Sequence, residues 1–438
     1  MMNFANIIKR NLLQQLDDLS RICWAFVKNP EKDFTRNRKL DFGETIRILL
    51  SMGGKSLGVE LLEYFLYDPE TVTPSAFIQR RDKILPDVME VLFHMFTHTI
   101  KQEKRLDDYR LLAIDGSSLK TPFNSNDPET HFPNGPNAKG FNLFHLNALY
   151  DLENHIYVDA FIQQGRSVAE SQALVQMVDR STLTGKVLVL GDRGYESYNA
   201  CEHITQKGWD YLIRIKDINS NGIASGLAFP PEDTFDIDYS LEIARTQNKK
   251  FRSDPSRYKY LAKKKQIFDY LPVDSKETYP FKFRILRFPI TESTYEVIIT
   301  SLDRNQFPLE RIKEIYNMRW GIETSFRDLK HTIGLTHFHS KKAAYILQEI
   351  FAKLTMYNFC IAITAEVVIP QFDRKYNYQV NLSVAIAISL RFFKDKKDTA
   401  PPDVEALIRK NILPIRPGRS DPRKVQTRSL VSFNYRLA

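Results

Sequence analysis

Up to about residue 100 apolar positions recur at intervals of three and four, in ETIRILLSM, VELLEYFLY and LPDVMEVLFHMF, with no alternating run between them. That period predicts amphipathic helices and no sheet. From about residue 108 the pattern changes to short β-branched and apolar runs closed by turn residues: RLLAIDGSS, FHLNALYDLE and HIYVDAFIQQG. A helix-like SVAESQALVQMV follows, then KVLVLGDRGY, a short helix near NACEHITQKG, and WDYLIRIKD. Three strands, helix, strand, helix, strand is the order of an α/β domain, with a mixed sheet and helices packed on it.

Residues 217 to about 293 break this rhythm. Turn-rich NSNGIASG and FPPEDT lead into DYSLEIART and FKFRILRFPI, which read as an inserted, largely β subdomain. The α/β pattern resumes at YEVIITSL, followed by a long helix from about Pro308 to Gly334 and another from about Ala343 to Val368. The most apolar run, TMYNFCIAITAEVVI, is short, stops at Pro370 and has Lys353 and Glu366 at its ends, so a buried core helix is expected and no membrane span. The expected layout is a helical N-terminal segment (1–104), a sheet core in two parts (105–216 and 294–370), a β-rich insertion (217–293) and a Pro-punctuated basic region (371–438).

With 438 residues, 43% of them hydrophobic, the chain has material for more than one core. A net charge of +9 and a pI near 9.1 favour polyanionic partners over acidic ones. Cys23, Cys201 and Cys360 form neither a metal-type spacing nor an even disulfide set, which points to a reducing compartment. The first residues, MMNFANIIKRNLLQQLDD, carry charges through their apolar stretch and no small-residue cleavage pattern, unlike a signal peptide.

Asp115 follows the strand RLLAI and Asp192 follows KVLVLG, so both carboxylates fall at the ends of strands expected in one sheet. Glu323 lies on the helix that re-enters the core after the insertion. Three carboxylates from three elements form an oxygen set suited to a pair of hard divalent cations. Around Glu323 the chain reads YNMRWGIETSFRDLK. On a straight α-helix Arg319, Glu323 and Lys330 fall within roughly 60° of Tyr316. Ile315, Ile322, Phe326, Leu329 and Ile333 form an apolar stripe beside that strip. A carboxylate there can bind metal, while Arg319 as a fork and Lys330 as a point charge can hold phosphates.

Two basic stretches suit DNA. TPSAFIQRRDKI has the form of a second helix of a helix-turn-helix, offering Gln79, Arg80, Arg81 and Lys83. Residues 245–265 hold nine basic residues against one acid, with aromatics interleaved and ending in Lys263, Lys264 and Lys265, a composition that favours phosphate-backbone contact. MGGKS is not a phosphate loop, because Leu49 stands where the first glycine is needed.

The succession of Asp115 in AIDGSS, Asp192 in GDRGY, and Y-x2-R-x3-E-x6-K from Tyr316 to Lys330 resembles the DDE transposases of the insertion-sequence-four family, over roughly residues 108–368. The resemblance implies an RNase H-like core interrupted by a β-rich insertion. It implies two Mg²⁺ or Mn²⁺ ions on Asp115, Asp192 and Glu323, with Tyr316, Arg319 and Lys330 binding DNA phosphates beside them. The implied activity is cleavage at insertion-sequence ends and strand transfer into target DNA by a cut-and-paste route. The implied partners are double-stranded terminal inverted repeats and target DNA, bound by a homodimer in the bacterial cytoplasm. Related enzymes pass through a hairpin, for which Trp209 and Trp320 are the aromatic candidates, against core packing for each. Two further classes stay open: an RNase H-like nuclease or resolvase without strand transfer, and a transposase-derived DNA-binding protein without catalysis.

Overall fold

The computed structural model describes residues 4–36, 38–135, 139–262, 266–371, 376–395 and 403–416. The chain divides into two compact units: a helical one of residues 1–102, 119–144 and 325–438, and a sheet unit of residues 103–118 and 145–324. The helical unit begins with α1 (Phe4–Arg21), α2 (Phe42–Ser51), α3 (Leu57–Tyr64), α4 (Pro74–Arg81) and α5 (Asp87–Thr99). Local signals start them: the Asp41 carboxylate accepts the Glu44 N–H at 2.7 Å to cap α2, and α4 opens with a Thr73 cap followed by Pro74.

The sheet is built from β1 (Arg110–Thr121), β3 (Phe141–Asp151), β4 (Ile156–Gln164), β5 (Val187–Gly191), β6 (Asp210–Ile215), β7 (Phe235–Ala244), β8 (Tyr258–Tyr260), β9 (Thr278–Pro289) and β10 (Tyr295–Thr300). In the helical unit β2 (His131–Phe132) pairs with the first two residues of β3. The sheet unit has the strand order β4-β3-β1-β5-β6-β10-β9-β7-β8. Strands β1, β5 and β6 are mutually parallel, with Ala113 opposite Leu190 and Leu190 opposite Leu212. The helices α6 (Glu170–Arg180) and α7 (Tyr198–Gln206) precede and follow β5. Leu174, Met177 and Val178 of α6 and Ala200, Cys201 and Ile204 of α7 pack on Leu112, Ile114, Val189 and Ile213. The mixed sheet flanked by helices that was expected is therefore present.

Two sequence expectations change here. The insertion, with β7, α8 (Lys249–Ser253), β8 and β9, does not stand apart as a subdomain. β9 runs antiparallel to β10, which itself pairs with β6, so the insertion continues the same sheet. FKFRILRFP is buried almost throughout, its Arg284 held by Asp236 and its Arg287 by Asp217. The predicted helix from Pro308 to Gly334 is also not one helix. It is α9 (Leu309–Met318), α10 (Trp320–Arg327) and a π-helical turn Asp328–Thr332. At the first break Arg319 N–H bonds Tyr316 O at 3.0 Å and Ile322 N–H bonds Arg319 O at 3.1 Å, three-residue steps that tighten the turn.

The remaining helices, α11 (Ala343–Ala365), α12 (Leu382–Lys394) and α13 (Val404–Lys410), belong to the helical unit. Residues 325–370 were expected in the sheet core. Instead α11 packs with α1, α2, α5 and α12, because a helix apolar on every side must be surrounded. It is long and apolar enough to cross a membrane, yet it is enclosed by protein. Its polar groups are paired: Glu349 with Arg81 at 2.8 Å, Asn358 Nδ2 with Thr97 Oγ1 at 2.9 Å, and Lys353 with the Met52 carbonyl.

Candidate active site

Asp115 leaves the apolar part of β1 and its carboxylate accepts the Gly116 N–H at 2.8 Å. Asp192 follows β5 directly and accepts the Gly194 N–H at 3.3 Å, capping a single turn Arg193–Tyr195. Asp115 thus lies within β1 and not at its end as expected, and the parallel pairing of β1 with β5 brings it beside Asp192 on adjacent interior strands. Glu323 lies in the first turn of α10, its side chain 36% exposed, with Oε1 accepting from Arg319 Nη2 at 3.0 Å.

Electrostatics tie these groups together. Burial pushes the Asp115 carboxyl up to about 6; the charges of Glu323 and Asp192 reinforce the rise, while the Gly116 hydrogen bond and Arg319 oppose it. Arg319 is held above its ordinary value despite burial, by Tyr316, Asp115 and Glu323. Two of the three carboxylates, Asp115 and Glu323, thus act on one cation that is 3% exposed, and Asp192 acts on Asp115.

That cation is incompletely satisfied. Arg319 Nε and Nη1 are buried without a hydrogen-bond partner in the protein, and so is the hydroxyl of Tyr316. The Arg319 guanidinium lies 5.7 Å from the Tyr316 ring centroid and 5.3 Å from the Trp320 ring. Burial raises the Tyr316 phenol to about 12, with Glu296 and Asp192 adding to the shift and Arg319 and Arg214 resisting it. Leaving a buried donor unpaired costs about 1–3 kcal/mol, so these donors favour an incoming acceptor such as a phosphate oxygen.

As the side chains stand, no group of three or more His, Cys, Asp or Glu among the described residues is close enough to hold a metal ion. The donor chemistry nonetheless fits a hard divalent cation: three carboxylates on separate elements, with Asp192 and Glu323 both within electrostatic reach of Asp115, whose raised pKa a cation would reverse. Arg319 now holds an oxygen of Glu323 that such an ion would use.

Other expected residues are placed differently. Lys330 lies in the π-helical turn of the helical unit, whose i→i+5 spacing removes the straight-helix angle that aligned it with Tyr316. In α4, Arg81 is 2% exposed and spends its guanidinium on Gln348, Glu349 and the Tyr345 carbonyl. It is a structural ion pair, not a reader of bases. Arg80 bonds the Leu40 carbonyl and stacks on Phe34, and Lys83 pairs with Asp33. Gln79 keeps an exposed position, bonded to Ser75 one turn back. In the insertion Arg245 is buried against the Gln266 carbonyl, while Lys263, Lys264 and Lys265 lie outside the described residues. Trp209 is core, and Trp320, expected there as well, is 49% exposed.

Sequence reasoning missed two pairs beside the aspartates. On β6 and β10, Arg214 Nε lies 3.1 Å from Glu296 Oε1, within electrostatic reach of Asp192 and Arg319. From β3 and α6, His145 Nε2 lies 3.0 Å from Glu170 Oε1. Polar residues on buried strand faces were the available signal for His145, Arg214 and Glu296.

Residues 106–359 match the family model of the transposase DDE domain. The match spans more than half of the chain, and the protein belongs to the DDE transposases. No curated protein matches at a significant level. Among solved structures the chain is similar to piggyBac transposase in a synaptic complex with hairpin DNA, with a TM-score of 0.44 and 13% identity over 95% of this chain and 87% of that one.

Proposed function

We propose that this DDE transposase cuts DNA at the ends of an insertion sequence and joins the freed 3′ ends to target DNA, with Asp115, Asp192 and Glu323 as the catalytic triad. The observation that carries this reading is that Asp115 lies within electrostatic reach of Asp192, of Glu323 and of a buried arginine with two unpaired donors. The Y-x2-R-x3-E-x6-K spacing supports assignment to the insertion-sequence-four family.

Asp115, Asp192 and Glu323 would hold two Mg²⁺ or Mn²⁺ ions, which when bound supply Lewis acidity and an acidified water. Asp115 must be ionised for this role, and above pH about 6 it is. Glu323 must release Arg319, and the released guanidinium, with the Tyr316 hydroxyl, donates to phosphate oxygens near the scissile bond. Water attack on the phosphodiester frees a 3′-OH, and that hydroxyl then attacks a target phosphodiester, so no protein nucleophile is required. A homodimer holding both ends in the bacterial cytoplasm completes the cut-and-paste reading.

The experiment is a cleavage and strand-transfer assay with Asp115→Asn, Asp192→Asn and Glu323→Gln. Each is expected to abolish cutting while binding DNA as the parent does. Near-parental cutting by any of them removes that residue from the triad. Cutting without joining by the parent chain favours the nuclease reading.

A further inference from the structure

We infer that Glu170 and His145 are positioning residues for the two aspartates, a role that rests on the triad reading above. Glu170 is the first residue of α6, and its Oε1 lies 3.0 Å from His145 Nε2 of β3; the His145 side chain is 10% exposed. The pair is lodged against two glycines. A Cβ on Gly116 would come within 3.0 Å of both Glu170 Oε1 and His145 Nε2, and a Cβ on Gly194 would come equally close to Glu170 Oε2. These two glycines orient the aspartates: Gly116 N–H donates to Asp115 at 2.8 Å and Gly194 N–H to Asp192 at 3.3 Å.

One carboxylate therefore spans the two backbone segments that aim Asp115 and Asp192. Helix-dipole preference explains a glutamate in the first turn of α6. It does not explain a histidine of β3 whose buried Nε2 lies 3.0 Å from its carboxylate without meeting hydrogen-bond geometry, nor glycine at both places where that carboxylate rests. The turn after Asp192 is fixed from the same strand as His145, by Asn147, which accepts the Tyr195 hydroxyl at 3.0 Å. Groups that orient metal ligands without touching the ion commonly change affinity by about 10–100-fold when removed.

The test measures Mn²⁺ binding to the protein–DNA complex by the electron paramagnetic resonance of free Mn²⁺, corrected for DNA alone, beside the Mn²⁺ midpoint of cleavage. Glu170→Gln removes the charge and keeps the shape, and Gly194→Ala pushes the carboxylate off its seat. Both are expected to weaken Mn²⁺ binding and raise the cleavage midpoint about tenfold, with metal-free DNA binding and circular dichroism as in the parent. If Glu170→Gln does not fold, His145→Gln takes its place. Parental Mn²⁺ affinity in Glu170→Gln and Gly194→Ala overturns the positioning role. Asp115→Asn run alongside separates the two readings. Weak binding in Asp115→Asn with parental binding in Glu170→Gln sinks only the positioning role, and parental binding in both sinks the triad. Weak binding in Glu170→Gln with parental binding in Asp115→Asn would make Glu170 a ligand, which also overturns positioning.

Discussion

Replacing Asp115 by Asn should stabilise the metal-free protein while abolishing catalysis. In the folded chain the carboxyl is raised from 3.8 to about 6, chiefly by burial, so the fold prefers its protonated form. The sign follows directly. This carboxyl contributes full stability below the unfolded value near 3.8 and loses it as pH rises through about 6. Above that, the ionised group costs about 3 kcal/mol, from roughly two units at 1.36 kcal/mol each. Asn keeps an oxygen for the Gly116 N–H and carries no charge, so Asp115→Asn should gain about 1–3 kcal/mol at pH about 7.5, and about 2 kcal/mol less at pH about 4.5. Thermal unfolding in chelator at the two pH values reads this out; each kcal/mol corresponds to about 2–4 °C. Adding Mn²⁺ should raise the melting temperature of the parent and leave that of the variant nearly unchanged. A variant destabilised equally at both pH values would refute the argument, since the carboxylate would then be a net stabilising group.

Tyr316→Phe should leave the free protein as stable as the parent or slightly more so, because the deleted hydroxyl has no partner there, yet slow strand joining about threefold to tenfold, as one lost hydrogen bond would; equal rates in a product time course would exclude the hydroxyl from phosphate binding. Arg319→Ala should reduce joining more than first-strand nicking, and equal slowing of all steps would reassign Arg319 to structural support. Arg81→Ala should cost about 3–5 kcal/mol by stranding the buried Glu349, measured by chemical unfolding, whereas altered discrimination between end and random DNA in a folded variant would restore the helix-turn-helix reading. Neutralising Lys263, Lys264 and Lys265 together should flatten the slope of log affinity against log salt for any duplex; an unchanged slope places them away from DNA.

The candidate triad was legible because its signals are local: an apolar strand, then Asp, twice, and a carboxylate among cations at helical spacing. What escaped depends on partners distant in the chain. Arg81 reads as an exposed basic residue until Glu349, 268 positions away, buries it. FKFRILRFPI reads as a strand of a separate subdomain, and only its pairing with β10 makes it part of the main sheet. The tight turn at Arg319 and the π-helical turn at Lys330 leave the apolar period of the sequence intact, so a single straight helix was the natural reading. Glu170 is an ordinary first-turn acid until the sheet sets it against Gly116 and Gly194.

The most direct test of transposition by this triad is incubation of the purified protein with the DNA that flanks its own gene and Mg²⁺, with cut positions mapped to the nucleotide and a supercoiled plasmid present as target. Cuts at the ends of inverted repeats, 3′ ends joined to the plasmid, and loss of both products in Asp192→Asn are the predicted result. Cuts at the same ends that persist in Asp192→Asn, or dispersed cuts with no joined product, would contradict it.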